Sequence, residues 1–185
     1  MFDHVRSDKN TALQLCGRGD TGGMGDDVQV LIVGDGPVAA VLTPMVAALG
    51  WSPTTTTDLD EVAGALGVAD AVVVLSHHDG TDGPAIRAAL EAGTPYVGAM
   101  GSRRTQARRR EWLLDNGVTE QALAALRAPI GLDIGADQPG EIAVSILAEM
   151  VAVRRGAASA VGSISTRDGA IHPDQEPGSA YCPGG

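Results

Sequence analysis

The chain has 185 residues, of which 44% are hydrophobic and 3% aromatic, and its formal net charge is −10. This length fits one domain with short extensions, and the acidic balance argues against nucleic-acid binding, which needs a basic face. No stretch approaches the roughly 20 apolar residues of a membrane span. Cys16 and Cys182 form neither a disulfide framework nor a zinc motif. The composition therefore predicts a cytoplasmic protein that binds neither nucleic acid nor a membrane.

Three segments are predicted along the chain. Residues 1–27 are polar and glycine-rich and predict a loosely ordered lead-in. Residues 157–185 are rich in Gly, Ser and Pro and predict a flexible tail. Between them, residues 28–156 alternate strand-like and helix-like stretches without an internal repeat, which predicts a single domain.

The first half of this domain follows a strand–helix alternation. A β-branched run at 28–33 predicts a strand buried on both faces, and the helix after it ends at Gly50. Residues 54–57 predict a weaker strand and residues 59–69 a helix. Residues 70–76 again have the pattern of a buried strand.

The second half continues the alternation. Pro84 is predicted to open a helix, and residues 95–100 a further strand. A long amphipathic helix at 102–116 precedes a helical stretch at 118–127, a short strand or loop at 128–135 and a last helix at 139–155. Strands separated by helices predict an α/β fold, namely a doubly wound, Rossmann-like, mostly parallel sheet with helices on both faces.

A glycine-rich turn follows the first strand. Gly34, Gly36 and Ala39 form G-x-G-x-x-A between a strand and a helix. Gly34 permits the tight turn, and Gly36 lets backbone N–H groups approach a phosphate at the positive end of the helix. Asp58 either takes the place of the acid that contacts a ribose or caps the next helix. The pattern predicts a phosphorylated ligand, with a purely structural turn as the alternative.

Polar residues also follow the third strand, in the sequence SHHDGTD. Neighbouring residues on a strand point to opposite faces, so at most one of His77 and His78 faces the crevice at the end of the sheet. We expect His77 to contact a ligand, whereas Asp82 either contacts it or caps the next helix. No metal site is predicted.

Five arginines follow Ser102 within eight residues. Ser102 is the predicted N-cap of a helix, with Arg103 and Arg104 in its first turn, where cations oppose the helix dipole. An anion site would explain that cost, and a solvated arginine face is the alternative. Arg109 and Arg110 are expected to pair with acids such as Glu111.

A glycine-bracketed loop precedes the last helix. Gly131 and Gly135 flank Asp133, which is a candidate general base, ligand contact or turn former. Pro139 and Glu141 then fit the start of a capped helix.

Three stretches carry a resemblance to a known family. VVVLSHHDGTDGPAI, YVGAMGSRRTQARRR and APIGLDIGADQPGEIAVSILAEMVAVRRG resemble, in order and spacing, the C-terminal Rossmann-like domain of the XdhC/CoxI proteins, and VLIVGDGPVAAVL looks like its glycine-rich first turn. These proteins are maturation factors of xanthine and carbon monoxide dehydrogenases. The resemblance covers residues 28–156.

The resemblance implies an accessory protein rather than a turnover enzyme. It implies binding of the molybdenum cofactor while its terminal sulfur is installed, and insertion into an apo-hydroxylase, with a cysteine desulfurase as a second partner. By position it assigns cofactor contacts to His77, Asp82, Gly101, Ser102, Arg103, Asp133 and Glu141. The residue patterns above add Gly34, Gly36, Ala39 and Arg104.

Two alternatives remain open from the sequence. One is an NAD(P)-binding oxidoreductase, although no Tyr-x-x-x-Lys is present and the single lysine, Lys9, lies outside the core. The other is a docking or dimerisation module that uses the apolar helix face around Ile146 and Met150. A homo-oligomer is compatible with either function.

Overall fold

One parallel sheet organises the protein in the computed structural model, which describes residues 27–76 and 78–169. Its strands are β1 (Gln29–Val33), β2 (Ser52–Thr56), β3 (Ala71–Val74), β4 (Tyr96–Ala99) and β5 (Leu126–Arg127). Their order across the sheet is β2-β1-β3-β4-β5, and each neighbouring pair is parallel. The helices are α1 (Pro37–Ala48), α2 (Leu59–Ala65), α3 (Asp79–Glu91), α4 (Arg103–Asp115), α5 (Glu120–Leu123) and α6 (Pro139–Arg154).

Helices cover both faces of this sheet because the strands are apolar on both sides. Val30 and Ile32 of β1 belong to one core, in which α1 and α6 pack, whereas Leu31 and Val33 belong to a second core with α2, α3 and α4. The doubly wound, Rossmann-like α/β fold is therefore confirmed. None of the described helices has the length and hydropathy needed to cross a membrane.

The edge strand β2 has a different composition for a physical reason. It pairs only with β1, in the register Gln29↔Ser52 to Val33↔Thr56, and most of its residues are at least partly exposed. Pro53 lacks an N–H group and is tolerated because one side of the strand has no partner strand. The threonines suit an edge that faces water.

Two helix boundaries differ from the sequence prediction. The third helix begins at Asp79, so Pro84 lies inside it rather than at its start. Proline there removes one intrahelical hydrogen bond, and a buried ion pair between Asp82 and Arg109 of α4 holds the added first turn in place. Asp82 is therefore not the N-cap, which is His78.

The stretch at 118–127 is only partly helical. The helix α5 ends at Leu123, and β5 follows where helix was predicted, pairing Leu126 with Val97 and Arg127 with Gly98 of β4. Pairing along the free edge of β4 overrides the local helix preference of this alanine-rich segment.

The apolar face of α6 is not a docking surface. Ile146 is fully buried and Met150 is nearly so, and both pack in the core with α1. The docking interpretation based on these two residues is wrong, because the sheet and α1 already cover that face of the helix.

Residues 157–169, the first part of the predicted tail, lie against the domain. They contain 3-10 turns at Ala158–Ala160 and Ile164–Thr166, and Ser163 forms an antiparallel bridge with Leu132. Ser163 and Ile164 are buried. The lead-in up to residue 26 and residues 170–185 lie outside the described residues.

Candidate functional site

The glycine-rich turn borders a cavity at the carboxyl edge of the sheet. Strands β1 and β3 are neighbours, but α1 after β1 and α3 after β3 pack on opposite faces. This is a topological switch point, where open α/β sheets bind their ligands. The cavity has a volume of about 100 Å³, and its lining includes Gly34, Asp35, Gly36, Ala39, Ser76, His78 and Met100.

Gly34 is required by the geometry of this turn. Its φ is +128°, and a Cβ atom there would lie 2.8 Å from the backbone nitrogen of Ser76. Its N–H donates to the carbonyl of Thr56 at 2.9 Å. A side chain at Gly34 would therefore push the end of β1 away from the end of β3.

Gly36 differs from Gly34, because its backbone does not require glycine. Its φ is −73°, and no described heavy atom lies within 4 Å of where a Cβ would stand. A side chain at Gly36 would thus be tolerated by the fold and would extend into open space beside the cavity.

Two helix N-termini meet at this cavity without a side-chain cap. The N-caps of α1 and α3 are Gly36, which has no side chain, and His78, whose side chain does not bond to its helix. The caps of α2, α4 and α5, by contrast, are Asp58, Ser102 and Thr119, whose side chains accept first-turn N–H groups. Uncapped N–H groups and the positive ends of two helix dipoles favour an anion at the cavity.

The arginine-rich turn is engaged elsewhere. Ser102 accepts the N–H of Thr105 at 3.2 Å and so caps α4, as predicted. The Nη2 of Arg103 donates to the carbonyl of Ile164 at 2.8 Å and to that of Arg167, and the side chain of Arg104 is exposed. Neither arginine is among the described residues that line the cavity at Gly36.

Gly101 lies in the same turn, between β4 and α4. Its φ is +141°, and a Cβ there would stand 3.1 Å from Thr105. Glycine at this position therefore serves the sharp entry into α4.

Arg109 and Arg110 do not pair with Glu111. Arg109 bonds to Asp82 at 2.6 Å with both side chains 5% exposed, and it donates to the Met100 carbonyl at 3.1 Å. Arg110 pairs with Glu120 at the surface. The expected pairing of both arginines with acids is confirmed, but the acids are Asp82 and Glu120 rather than Glu111, because the turn between β4 and α4 aims Arg109 at α3.

Asp133 connects the glycine-bracketed loop to the C-terminal segment. Its carboxylate pairs with Arg167, which raises the pKa of that guanidinium through their hydrogen bond. Its N–H donates to the Gly162 carbonyl at 2.9 Å. In this structure, Asp133 and Arg103 together hold residues 162–167 against the domain.

Glu141 is placed at the start of α6. Its carboxylate accepts the N–H groups of Asp137 at 3.0 Å and Gln138 at 3.1 Å, which lower the pKa of Glu141. The predicted capped helix start is confirmed, and the carboxylate of Glu141 neutralises the helix end rather than lining the cavity at Gly36.

Sequence reasoning missed a buried carboxylate, Glu149. It is 1% exposed and accepts hydrogen bonds from the Tyr96 hydroxyl at 2.8 Å, the Gly131 N–H at 3.0 Å and the Ser163 hydroxyl. Arg127 lies 3.7 Å away. Burial, together with the Glu149 charge, raises the pKa of Tyr96. The signal was a single acid within the apolar run of α6.

The structure thus brings Gly34, Gly36 and Ala39 together at one cavity. The other described candidates lie in turns, caps, ion pairs or bonds to the C-terminal segment, except Arg104, which is exposed. Asp58 caps α2, which decides the alternative left open for it. His77 lies outside the described residues. Among the described residues, no group of three His, Cys, Asp or Glu side chains could hold a metal ion.

Comparison with known proteins identifies relatives of the chain. It is 37% identical over 84 residues to the molybdenum cofactor insertion chaperone PaoD of Escherichia coli K12, covering 45% of this chain and 26% of that protein. It is 36% identical over 86 residues to a probable xanthine dehydrogenase subunit of Bacillus subtilis 168, covering 46% and 24%. The chain thus matches about a quarter of each of these relatives.

A solved structure has the same fold, and a family model matches the sequence. A xanthine dehydrogenase of Bacillus halodurans shares the fold, with a TM-score of 0.58 and 22% identity over 70% of this chain and 43% of that one. The family model described as the XdhC Rossmann domain matches residues 30–150, more than half of the chain. The chain belongs to the XdhC Rossmann domain family.

Proposed function

We propose that this chain binds the molybdenum cofactor and serves as a maturation factor for a xanthine dehydrogenase-type molybdenum hydroxylase. The observation that carries the proposal is the cavity at Gly36, where two uncapped helix N-termini meet beside a glycine-rich turn in an XdhC Rossmann domain. The names of the two relatives, a cofactor insertion chaperone and a dehydrogenase subunit, support it.

The residues at the cavity fit one part of this cofactor. The molybdenum cofactor is anionic, because it carries a phosphate as well as a dithiolene-bound metal oxo group. A cavity of about 100 Å³ is smaller than the roughly 300–1,000 Å³ of most ligand pockets, so it suits the phosphate and not the whole molecule. The N-termini of α1 and α3 would supply backbone N–H donors to that phosphate.

The NAD(P) alternative has less support. A dinucleotide-binding fold uses an acid at the end of the second strand to bind a ribose. Here the Asp58 carboxylate accepts the N–H of Asp60 at 2.7 Å and of Glu61 at 3.3 Å, and so caps α2. The carboxylate that the ribose would need is already used within the fold.

In this proposal the chain acts as a carrier. It holds the cofactor while a cysteine desulfurase supplies the terminal sulfur, and then delivers it to the apo-hydroxylase. The other proposed cofactor contacts, in addition to the glycine-rich turn, remain His77, Asp82, Gly101, Ser102, Arg103, Arg104, Asp133 and Glu141. For Arg103 and Asp133, contact with the cofactor requires release of residues 162–167, which both now hold.

The test is retention of the cofactor by the 185-residue chain purified from a cofactor-producing host. We expect molybdenum and pterin to co-purify, measured by elemental analysis and by fluorescence of the oxidised pterin. Gly36→Asp should retain at most about a tenth as much, because a carboxylate would stand where the phosphate binds, whereas aspartate is a good N-cap that leaves the fold stable.

Gly36→Asn is the matched control, since it occupies the same space without the charge. We expect it to retain more cofactor than Gly36→Asp, and the difference isolates the electrostatic contribution. A wild-type chain without molybdenum and pterin, or equal retention by wild type and Gly36→Asp, would contradict the proposal.

A further inference from the structure

A second cavity lies between α3 and α4. It has a volume of about 220 Å³ and is lined by Asp82, Gly83, Thr105, Arg108, Arg109 and Trp112. It shares no lining residue with the cavity at Gly36. We call this second cavity the α3–α4 groove. It is separate from the glycine-rich turn, so its residues need an explanation of their own.

Asp82, which lines the α3–α4 groove, has a buried carboxylate oxygen without a partner among the described residues. The Oδ2 of Asp82 accepts from Arg109 at 2.6 Å, and the side chain is 5% exposed. Its Oδ1 is buried and has no hydrogen-bond partner among the described residues. Since an unsatisfied buried acceptor is costly and rare in native structures, this oxygen indicates a ligand that donates an N–H or O–H group.

An aromatic ring, that of Trp112, also lines the α3–α4 groove. The indole ring of Trp112 packs so closely on α3 that a Cβ at Gly83 would stand 2.6 Å from it. Glycine at position 83 therefore allows the ring to approach the helix this closely. Trp112 is nevertheless 37% exposed, so part of the ring remains available for stacking with another ring.

The charges in the groove exclude a bare metal ion as its ligand. Arg108 and Arg109 both line it, and only one carboxylate, that of Asp82, opposes them among the described lining residues. Arg108 is exposed and lies one helical turn before Trp112 on α4. The groove thus combines an acceptor, an aromatic ring and a solvent-exposed cation.

We propose that the α3–α4 groove binds a flat nitrogen heterocycle that carries an amino or ring N–H group. The N–H donates to Asp82 Oδ1, the ring stacks on Trp112, and Arg108 attracts an anionic substituent. A pterin bicycle has this chemistry. The choice of pterin rests on the proposed function, whereas the ligand class rests on Asp82 and Trp112.

The test compares two probes that share one ring system. Pterin carries an amino group and a ring N–H, whereas 1,3-dimethyllumazine is the same bicycle without any N–H donor. Isothermal titration of the 185-residue chain should show saturable binding of pterin and at least tenfold weaker binding of 1,3-dimethyllumazine. Equal affinity for the two probes, or no pterin binding at millimolar concentration, would overturn the proposal.

Variants locate the binding in the groove. Trp112→Leu should weaken pterin binding at least tenfold. Arg87→Gln, at a partly exposed position on α3 outside the groove, should leave it unchanged. Asp82→Asn should also weaken it, with thermal unfolding as the check that the chain still folds. If Asp82→Asn does not fold, Trp112→Leu alone decides, and wild-type affinity in that variant refutes the proposal.

This experiment is independent of the cofactor-retention test. It uses a free heterocycle without phosphate or molybdenum, so it does not depend on the cavity at Gly36. Pterin binding without cofactor retention would overturn the carrier function but support the heterocycle site in the α3–α4 groove. Cofactor retention that Trp112→Leu does not affect would support the carrier function but overturn the heterocycle site.

Discussion

Two regions of the molecule use their polar groups in opposite ways: the cavity at the ends of β1 and β3, and the hydrogen-bond network around β4 and β5. At β1 and β3 the cavity is bordered by a glycine-rich turn and by two helix N-termini that no side chain caps. Around β4 and β5, by contrast, several charged side chains are bonded within the fold: Glu149 accepts from Tyr96, Gly131 and Ser163, and Asp133 pairs with Arg167, although the buried Nε of Arg103 has no partner among the described residues. The region that is richer in charge is the region whose described charges mainly hold the fold together.

This difference changes how the arginine-rich stretch is understood. Cations in the first turn of α4 oppose the helix dipole, and an anion site was one explanation for that cost. The structure supplies another, because Arg103 reaches the carbonyls of Ile164 and Arg167 and fastens the C-terminal segment. A cluster of charge in the sequence therefore does not distinguish a binding site from a structural clamp.

The largest expected effect is a loss of stability in the network around β4 and β5. Glu149→Ala should lower the free energy of unfolding by about 3–5 kcal/mol, because it leaves buried donors from Tyr96, Gly131 and Ser163 without an acceptor. Urea denaturation followed by circular dichroism measures it. The exposed Glu91→Gln serves as control and should change the free energy by less than about 0.5 kcal/mol.

If Glu149→Ala lowered the free energy of unfolding by less than about 1 kcal/mol, the view that these polar groups hold the fold together would be contradicted. It would mean that the hydrogen bonds at β4 and β5 contribute little, and that the C-terminal segment is held by apolar contacts instead.

A smaller loss of stability is expected at the glycine-rich turn between β1 and α1. Gly34→Ala should cost about 1–3 kcal/mol, since alanine is strained at a φ of +128° and its Cβ would press on the backbone of Ser76. Gly36→Ala should cost less, about 1 kcal/mol or below, because its only penalty is a poorer N-cap. Thermal unfolding of both variants checks the order, and equal losses would show that the turn does not depend on close packing at Gly34.

Sequence patterns correctly predicted the features that depend on residues close together in the chain. The apolar runs of β1, β3 and β4 indicated the buried parallel strands, and Gly34 and Gly36 indicated the turn between β1 and α1. These features depend on neighbours within a few residues. The two-residue strand β5 does not, because only the edge of β4 makes it a strand.

Long-range pairs could not be read from the sequence in the same way. Asp82 and Arg109 are 27 positions apart, and Glu149 is 53 positions from Tyr96. Spacing along the chain does not say which buried acid meets which donor. An acid within an apolar helix face, as at Glu149, does indicate that some partner must exist.

The smallest expected effect is a change in how the stability of the Glu149 network depends on pH. Burial first, and then the Glu149 charge and the hydrogen bond to it, raise the pKa of Tyr96 in the folded protein. In the unfolded chain the phenol has its ordinary pKa of about 10. Below that pH both states keep the proton, and stability is lost as pH rises from about 10 through the higher folded-state pKa.

Tyr96→Phe removes this alkaline loss. The variant should be about 1 kcal/mol less stable than wild type at about pH 8, because the hydrogen bond to Glu149 is missing, and the gap should narrow or reverse above about pH 10. Urea denaturation at several pH values measures it, and Tyr181 contributes equally to both proteins. A constant gap up to about pH 11 would show that Tyr96 is accessible to hydroxide in the folded state. The network around Glu149 would then be open to solvent, and the contrast between the two regions would fail.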